Sequence, residues 1–371
     1  MRALFYILII FFVVHLFIVL GINQIPILQL DFPFKSIVEV YEPKILSPLA
    51  GFDGAHYIMI AKFGYQQYQE AFFPLYPVLV NLLPIFNPLV SGLLISWLSL
   101  IAGSYFFYRI TNLILKRKND YWSLIFLLSF PSAFFFITVY SESLFLATAS
   151  LALFFIFKRN FKPAALFCIL ASLTKLQGFF LIIPFLFSVF EAKKGNKLFN
   201  ILIALSPILG LAAYSIFLFF RTGDPLYFYH SQEAFGANRI STGFVFLPQV
   251  FFRYLKILIT ADLNFQYWIA FLELSVFLIV FAVLLWVLYL NFKKKDFSFE
   301  FSLNLYSLAA LMLPTLTGTL SSIPRYSLIA YGFFIALSKI RNVSLKILIG
   351  LIFSILHLVL FFYFIKGYFV S

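Results

Sequence analysis

The sequence predicts an all-α fold, a polytopic transmembrane helical bundle, and three observations carry that prediction. Of the 371 residues, 63% are hydrophobic and only 11% are charged, whereas soluble globular domains are about 45–50% apolar and about 25% charged. Apolar runs recur along the whole chain, each close to the roughly 20 residues that a membrane-spanning helix needs. Between the runs, basic residues cluster in short gaps, which is typical of cytoplasmic loops.

The net charge of +13 is explained by these gaps rather than by a nucleic-acid partner. The basic clusters lie at 116–118, 158–162, 193–197, 293–295 and 339–346. Two longer connections, at about 23–71 and 221–265, contain both signs of charge and are placed on the non-cytoplasmic face. The sequence therefore predicts a multi-pass protein whose amino terminus lies on the cytoplasmic side.

The run at 3–22 is predicted to be a retained first span. Its apolar core is longer than the roughly 7–15 residues of a secretory signal, and no small-x-small cleavage site follows. Pro74, Pro77 and Pro84 remove helical donors, which predicts a broken or re-entrant segment around 72–88. Further spans are expected near 88–110, 121–139, 141–157, 198–220, 266–291, 303–320, 326–338 and 346–366.

Residues 163–191 need a different solution, because basic gaps flank both of their ends. The stretch has to cross twice or dip into the membrane and return, and LTKLQG at 173–178 lies in its middle. Two half-length helices that meet at this bend satisfy the charge pattern, since irregular backbone at membrane depth is tolerated where it lines a cavity. The prediction is then about ten to twelve membrane segments in a single domain, 1–371.

The stretch FDGAHYIMIAKFGY at 52–65 places polar groups just after the first span. Aspartate is a preferred helix N-cap and glycine a common helix stop, so Asp53 and Gly64 predict a short helix over 54–63 at the membrane surface. Its spacing puts Asp53, His56 and Tyr57 on one side. Two interpretations stay open: Asp53 caps this helix, or it is a general base that faces a cleft.

Two cations lie in apolar surroundings. A charge at the bilayer centre costs about 2.5–3.5 kcal/mol on insertion scales, so Lys175 either faces a cavity or a partner or reaches the membrane surface with its long side chain. Arg325 likewise either faces a cavity or a partner or extends to the membrane surface. It follows Pro324, which breaks the helical path and frees backbone donors beside a guanidinium that matches phosphate oxygens. Together the two cations favour a phosphate carried on a lipid.

Other chemistries leave no signature in the chain. Glu142, in YSESLF, either caps or pairs with a cation or belongs to a site. The His, Cys and carboxylate residues lack the spacing of a zinc site, and neither a Walker A loop nor a Gly-x-Gly-x-x-Gly fingerprint is present. No serine has the Gly-x-Ser-x-Gly context of an esterase. The sequence requires no cofactor, and a divalent metal is compatible with it but not indicated.

Several blocks resemble a known family in the same order along the chain. FDGAHYIMIAKFGY…EAFFPLYPVL (52–79) resembles the first-loop motif of the mannosyltransferases that add the second mannose to the GPI anchor, and of their prokaryotic relatives. YSESLFLATASLALFFIFKR (140–159), LASLTKLQGFFLIIP (170–184), GDPLYFYHSQEAFG (223–236) and SSIPRYSLIAYGFFIALS (321–338) resemble further blocks. The resemblance covers most of the chain.

The resemblance implies a GT-C membrane glycosyltransferase. Such enzymes are similar in having a helical bundle with an acidic residue in the first outer loop; they take sugar from a polyprenyl phosphate and typically invert the anomeric centre. Asp53 matches that acidic position, as catalytic base. Phe52 stands where the family usually has Trp, and Lys175 where Arg is common, so both swaps keep aromatic or cationic character. Lys175 and Arg325 would bind the donor phosphate.

The candidate substrate-binding residues are His56, Tyr57, Glu142, Gln177, His230 and Gln232. His56 either orients Asp53 or touches the sugar, or is an ordinary helix-surface histidine, and the aromatic connection at 225–254 either binds substrate or lies among lipid headgroups. The expected partners are a polyprenyl-phosphate hexose, with mannose as the expected sugar, a lipid or glycan acceptor and membrane lipid. In a prokaryote the protein would lie in the plasma membrane with its active site on the outer face. The alternative function is a lipid-linked-sugar flippase or another membrane transporter.

Overall fold

All regular secondary structure is helical in the computed structural model, which describes residues 2–22, 35–192 and 196–370. The first nine helices are α1 (Arg2–Ile22), α2 (Lys35–Glu39), α3 (Asp53–Phe63), α4 (Leu75–Asn81), α5 (Pro88–Leu115), α6 (Trp122–Ser129), α7 (Glu142–Phe157), α8 (Phe161–Thr174) and α9 (Ile182–Glu191). The other nine are α10 (Lys197–Ala204), α11 (Ser206–Thr222), α12 (Tyr227–His230), α13 (Leu247–Thr260), α14 (Phe265–Lys294), α15 (Phe299–Met312), α16 (Ile323–Ser327), α17 (Tyr331–Ser338) and α18 (Val343–Ile365). Short 3₁₀ helices cover Lys44–Ala50, Gln69–Ala71, Ala133–Phe136, Leu176–Leu181, Ser231–Phe235 and Leu313–Thr317.

Six helical segments of the described chain are long and apolar enough to cross a membrane. They are Arg2–Gly21, Pro88–Leu115, Lys197–Thr222, Phe265–Lys294, Phe299–Thr317 and Val343–Ile365. Three shorter apolar helices accompany them, at Glu142–Phe157, Phe161–Thr174 and Leu176–Glu191. The all-helical fold is therefore confirmed, and the six segments are consistent with an integral membrane protein, while the count of ten to twelve membrane segments stays a prediction.

Two of the expected spans are interrupted. The stretch 121–139 was expected to be one span, but α6 ends at Ser129 and the chain continues through irregular backbone into a 3₁₀ helix. Pro131 explains the break, because a proline ring disfavours helix in the residue before it and offers no amide donor. In the second case, 326–338, residues 328–330 separate α16 from α17. Both interruptions lie beside the cavity described below.

The predicted bend at 173–178 is confirmed. Helix α8 ends at Thr174, and Lys175 has an extended backbone, with φ −156° and ψ 149°. The chain then folds back through the 3₁₀ helix at Leu176–Leu181 into α9. Gly178 makes this return close: a Cβ added there would lie 2.5 Å from the carbonyl oxygen of Ala171. The break thus exposes the Lys175 side chain to the bundle interior.

The connection after α1 carries the aspartate motif; its residues 23–34 lie outside the described chain. Helix α3 begins at Asp53 and ends before Gly64, whose φ of +75° is the left-handed conformation that glycine adopts readily. The predicted short helix is confirmed. The prediction that Asp53 caps it is not, because Asp53 is the first helical residue and no side-chain cap bond is formed at Phe52, which precedes it. The Asp53 carboxylate has another partner.

Candidate active site

A cavity of about 720 Å³ lies where α3, the start of α7, the break after α8 and α16 meet. Its wall contains eight of the nine residues singled out from the sequence: Asp53, His56, Tyr57, Glu142, Lys175, Gln177, Gln232 and Arg325. These come from five separate segments of the chain. The fold therefore gathers the aspartate motif and both buried cations around one space.

Asp53 and Arg325 form an ion pair in this wall. Arg325 Nη1 donates to Asp53 Oδ2 at 2.5 Å, and the two side chains are 11% and 22% exposed. Burial raises the pKa of the Asp53 carboxyl, but the charge and the hydrogen bond of Arg325 outweigh burial and leave that pKa below its ordinary value. Asp53 is therefore ionised at neutral pH and held by a cation.

Glu142 and Lys175 form the second ion pair. Lys175 Nζ donates to Glu142 Oε1 at 2.5 Å, and only 10% and 3% of the lysine and glutamate side chains are exposed. The same Glu142 oxygen lies 3.5 Å from Arg325 Nε. Of the two alternatives for Lys175, the structure has the one in which it faces a partner. The two ion pairs are thereby linked into one network of four charges.

Three aromatic rings surround the Arg325 guanidinium. Its central carbon lies 5.4 Å from the Phe135 ring centroid, 5.5 Å from that of Tyr140 and 5.6 Å from that of Tyr326. Such cation–π contacts stabilise a desolvated cation by about 2 kcal/mol or more. The rings therefore stabilise the guanidinium in the cavity wall independently of its ion pair.

Two buried polar atoms in this network, Arg325 Nε and Glu142 Oε2, have no hydrogen-bond partner among the described residues. Leaving a buried polar atom unpaired costs about 1–3 kcal/mol, and more for a charged group. Arg325 Nε is an unpaired donor on a cation, and Glu142 Oε2 is an unpaired acceptor on a carboxylate. A ligand that carries both an anionic oxygen and a hydroxyl would satisfy the pair.

The remaining wall residues offer an aromatic surface with polar edges. Tyr57 shares a 2.9 Å hydrogen bond with the Ser141 hydroxyl. The His56 ring stacks on Phe72 with centroids 5.1 Å apart. Burial lowers the pKa of His56, although the Asp53 carboxylate opposes the shift, so the imidazole is neutral at pH 7. The imidazole thus lies beside Asp53 without adding a fixed charge to the cavity wall.

His230 is the one predicted site residue that the structure does not place in the cavity wall. Its side chain is 44% exposed, and its Nδ1 lies 2.5 Å from Asp224 Oδ2. The carboxylate of Asp224 also accepts the amide of Leu226, as expected at an Asp-Pro turn. This local pairing holds the imidazole away from the ion-pair network. Gln232, only two residues further along, does line the cavity and donates to the Phe228 carbonyl.

Sequence reasoning missed Arg239, which also lines the cavity. It lies in the aromatic connection between α12 and α13, and its positive charge acts on the Asp53 carboxyl. The charge pattern alone did not distinguish this arginine from the other loop cations. A usable signal was its position within an aromatic segment on the same predicted face as the aspartate motif. Gln67 and Tyr326 are further wall residues that were not singled out.

No cluster of three His, Cys, Asp or Glu side chains able to hold a metal ion occurs in residues 2–22, 35–192 and 196–370. No family model, curated protein or solved structure matches this chain. The function is therefore argued from the geometry of the cavity and its charges.

Proposed function

We propose that the protein is a membrane glycosyltransferase. It moves a hexose, expected to be mannose, from a polyprenyl-phosphate donor to a lipid or glycan acceptor on the non-cytoplasmic face, and inverts the anomeric centre. One observation carries the proposal: a carboxylate on a helix start and two buried cations from distant helices share one cavity wall. Inverting transfer from a sugar phosphate needs these parts, a base for the acceptor and positive charge for the leaving group.

The balance of charges in the wall supports a phosphodiester donor. Lys175, Arg239 and Arg325 supply three positive charges, and Asp53 and Glu142 supply two negative ones. One positive charge is left over. A polyprenyl phosphoryl sugar is a phosphodiester with a single negative charge, whereas a diphosphate carries at least two. Buried charges that lack counter-charges are costly, so this wall fits the diester better.

In the proposed reaction Asp53 accepts the proton of an acceptor hydroxyl. The hydroxyl oxygen attacks the anomeric carbon, and the bond from that carbon to the phosphate oxygen breaks on the opposite face, releasing polyprenyl phosphate with one more negative charge. Arg325 and Lys175 stabilise that charge, which counts for more in a site with little water. One positioned base is enough for a single displacement, and such a base contributes about 10²–10⁴-fold to the rate.

The apolar part of the cavity suits the hydrocarbon of such a donor. Phe228, Phe244, Leu313 and Leu316 are among the apolar residues that line it. Ligand sites commonly combine an apolar lining with a few convergent polar groups. An isoprenoid lying along these residues would bring its phosphate toward Arg325.

The proposal is tested with purified protein in lipid nanodiscs. The protein is incubated with isotopically labelled polyprenyl-phosphate mannose or glucose and an extract of cell lipids and glycans. The expected result is label on a new acceptor, with inverted anomeric configuration and stoichiometric release of polyprenyl phosphate. If the label stays on the donor with every sugar, while proteoliposomes move the labelled lipid between leaflets, the protein is a transporter and the proposal is overturned.

A further inference from the structure

The proposed base and the proposed phosphate ligand are bonded to each other. Arg325 Nη1 donates to Asp53 Oδ2 at 2.5 Å, a hydrogen bond between two charged groups. A carboxylate stabilised in this way is a weak proton acceptor, because the arginine favours its ionised form. The same arginine cannot give its full charge to a leaving phosphate while Asp53 holds it. The proposed base and the proposed phosphate ligand therefore occupy each other in this structure.

The surroundings of Arg325 allow the pair to open. Its Nε has no hydrogen-bond partner in the part of the chain that the structure describes, although only 9% of the residue surface is exposed. Its guanidinium also contacts the rings of Phe135, Tyr140 and Tyr326, contacts that do not involve Asp53. Glu142 Oε1, at 3.5 Å, offers it a second carboxylate. Arg325 thus has an unused donor for an entering anion and support that does not depend on Asp53.

We propose that the donor phosphate displaces Asp53 from Arg325, so that donor binding releases the base and acceptor activation follows it. This inference rests on the proposed function and adds an order of events to it. The phosphate takes Nη1, which Asp53 gives up, together with the adjacent Nη2 of the arginine in a bidentate contact. Asp53 then loses its cation and becomes a better proton acceptor at the moment when the anomeric carbon is in place.

If the phosphate displaces Asp53 in this way, Asp53 opposes donor binding and Arg325 supports it. Asp53 competes with the phosphate for Arg325, so removing its charge should tighten donor binding. Arg325 should contribute more to binding when Asp53 no longer holds it. If instead Asp53 only orients Arg325 for the phosphate, Arg325 should contribute less once Asp53 is removed. The sign of the coupling between the two residues separates these cases.

The test is a double-mutant cycle on binding, without acceptor and hence without turnover. The probe is the farnesyl phosphodiester of mannose, titrated calorimetrically into wild type, Asp53→Asn, Arg325→Gln and the double variant. We expect Asp53→Asn to lower the Kd about tenfold, and Arg325→Gln to weaken binding by a larger factor in the Asp53→Asn protein than in wild type. An equal or smaller factor overturns the exchange. Glu142→Gln is the comparison: it removes one negative charge from the same wall, but Glu142 bonds Lys175 at 2.5 Å and lies 3.5 Å from Arg325 Nε, so its coupling to Arg325 should be smaller than that of Asp53.

A measurement on the unaltered chain covers the case in which a variant does not fold. Infrared difference spectra of protein with isotope-labelled aspartate are recorded before and after the farnesyl probe is added. A shift of an ionised carboxylate band is expected when Asp53 loses its arginine, and an unchanged band overturns the exchange. Binding without coupling overturns only this inference. If the probe binds neither wild type nor any variant, the phosphate donor itself, and with it the proposed function, is wrong.

Discussion

The Asp53 carboxylate and the Arg325 guanidinium meet at 2.5 Å although 272 positions separate them in the chain. Each follows a non-glycine residue with positive φ: Phe52 at +55°, directly before Asp53, and Ser322 at +68°, before α16. Such conformations cost of order 1–3 kcal/mol each and persist where the surrounding structure enforces them. Phe52 is held by ring contacts to Phe364 and Phe369, close to the carboxyl end of the described chain. Both strained turns aim one member of the ion pair into the cavity.

Replacement of Asp53 by asparagine should reduce sugar transfer about 10²–10⁴-fold, the usual contribution of a general base. The amide keeps the size of the side chain but cannot take a proton, and Glu142 remains near Arg325 to limit the loss of stability. Initial rates with the labelled donor measure the effect. Asp262→Asn, which removes the same charge from an exposed turn outside the cavity, should transfer sugar at the wild-type rate. Near-normal turnover of Asp53→Asn, with normal expression, contradicts the base assignment.

Replacing a cation of the cavity wall should raise the KM for the donor. Lys175→Gln removes a charge-assisted contact worth about 1.5–3 kcal/mol, so the donor KM should rise about 10–100-fold. Arg325→Lys keeps the charge but lacks the bidentate fork, and its effect should be smaller than that of Arg325→Gln. Lys256→Gln is the matched control, because Lys256 is exposed on α13. An unchanged donor KM and turnover for both cavity variants would remove the phosphate role.

The pH dependence of the reaction should differ between the free protein and its donor complex. Asp53 acts as a base only when ionised, so activity is lost as pH falls through its pKa. Arg325 holds that pKa below the ordinary 3.8 against burial, with smaller help from His56 and Arg239. The acid limb of kcat/KM for the donor, which reports the free protein, should therefore lie below about pH 4. If the donor takes Arg325, the limb of kcat moves to higher pH. Identical limbs contradict the exchange.

The sequence predicted features that depend on neighbouring residues. Helix α3 follows from its flanking Asp53 and Gly64, and the break at Lys175 follows from basic gaps on both sides of an apolar stretch. His230 was predicted to bind substrate, but in the structure its imidazole pairs with Asp224 outside the cavity wall. A sequence pattern does not show such a pairing. The end of α6 near Pro131 was missed because hydropathy was given more weight than the proline. The pairing of Asp53 with Arg325 depends on how distant helices pack, and no local pattern encodes it.

Gly178 should be required for the break that presents Lys175. An alanine Cβ there would lie 2.4 Å from the backbone carbon of Ala171, closer than real contacts allow. Overpacking of this kind typically costs about 1–3 kcal/mol, so Gly178→Ala should lower the apparent Tm in detergent and impair donor use. Gly350→Ala is the control: its Cβ would meet nothing within 4 Å, and alanine favours helix by about 0.5–1 kcal/mol. A Gly178→Ala protein as stable as Gly350→Ala would contradict the close approach.

The segment that leads into α16 is held by a buried tyrosine–glutamate pair, which gives the last prediction. Tyr254 Oη donates to Glu273 Oε2 at 2.6 Å and accepts the Leu320 amide at 3.1 Å. The other oxygen of Glu273 accepts the Ser322 amide at 3.2 Å. Tyr254→Phe leaves buried groups of Glu273 and Leu320 without this partner, at a cost of about 1–3 kcal/mol.

Because Arg325 lies three residues beyond Ser322, we expect Tyr254→Phe to lower the Tm and to raise the donor KM more than it lowers kcat. The acid limb of the pH profile should stay in place, since Asp53 and its cation remain. Tyr289→Phe deletes the same hydroxyl from a side chain that is 53% exposed and should match wild type in both measurements. Loss of support for α16 should weaken binding of the donor phosphate before it slows turnover. If Tyr254→Phe lowers kcat alone, with unchanged KM and Tm, Tyr254 therefore does more than position the arginine.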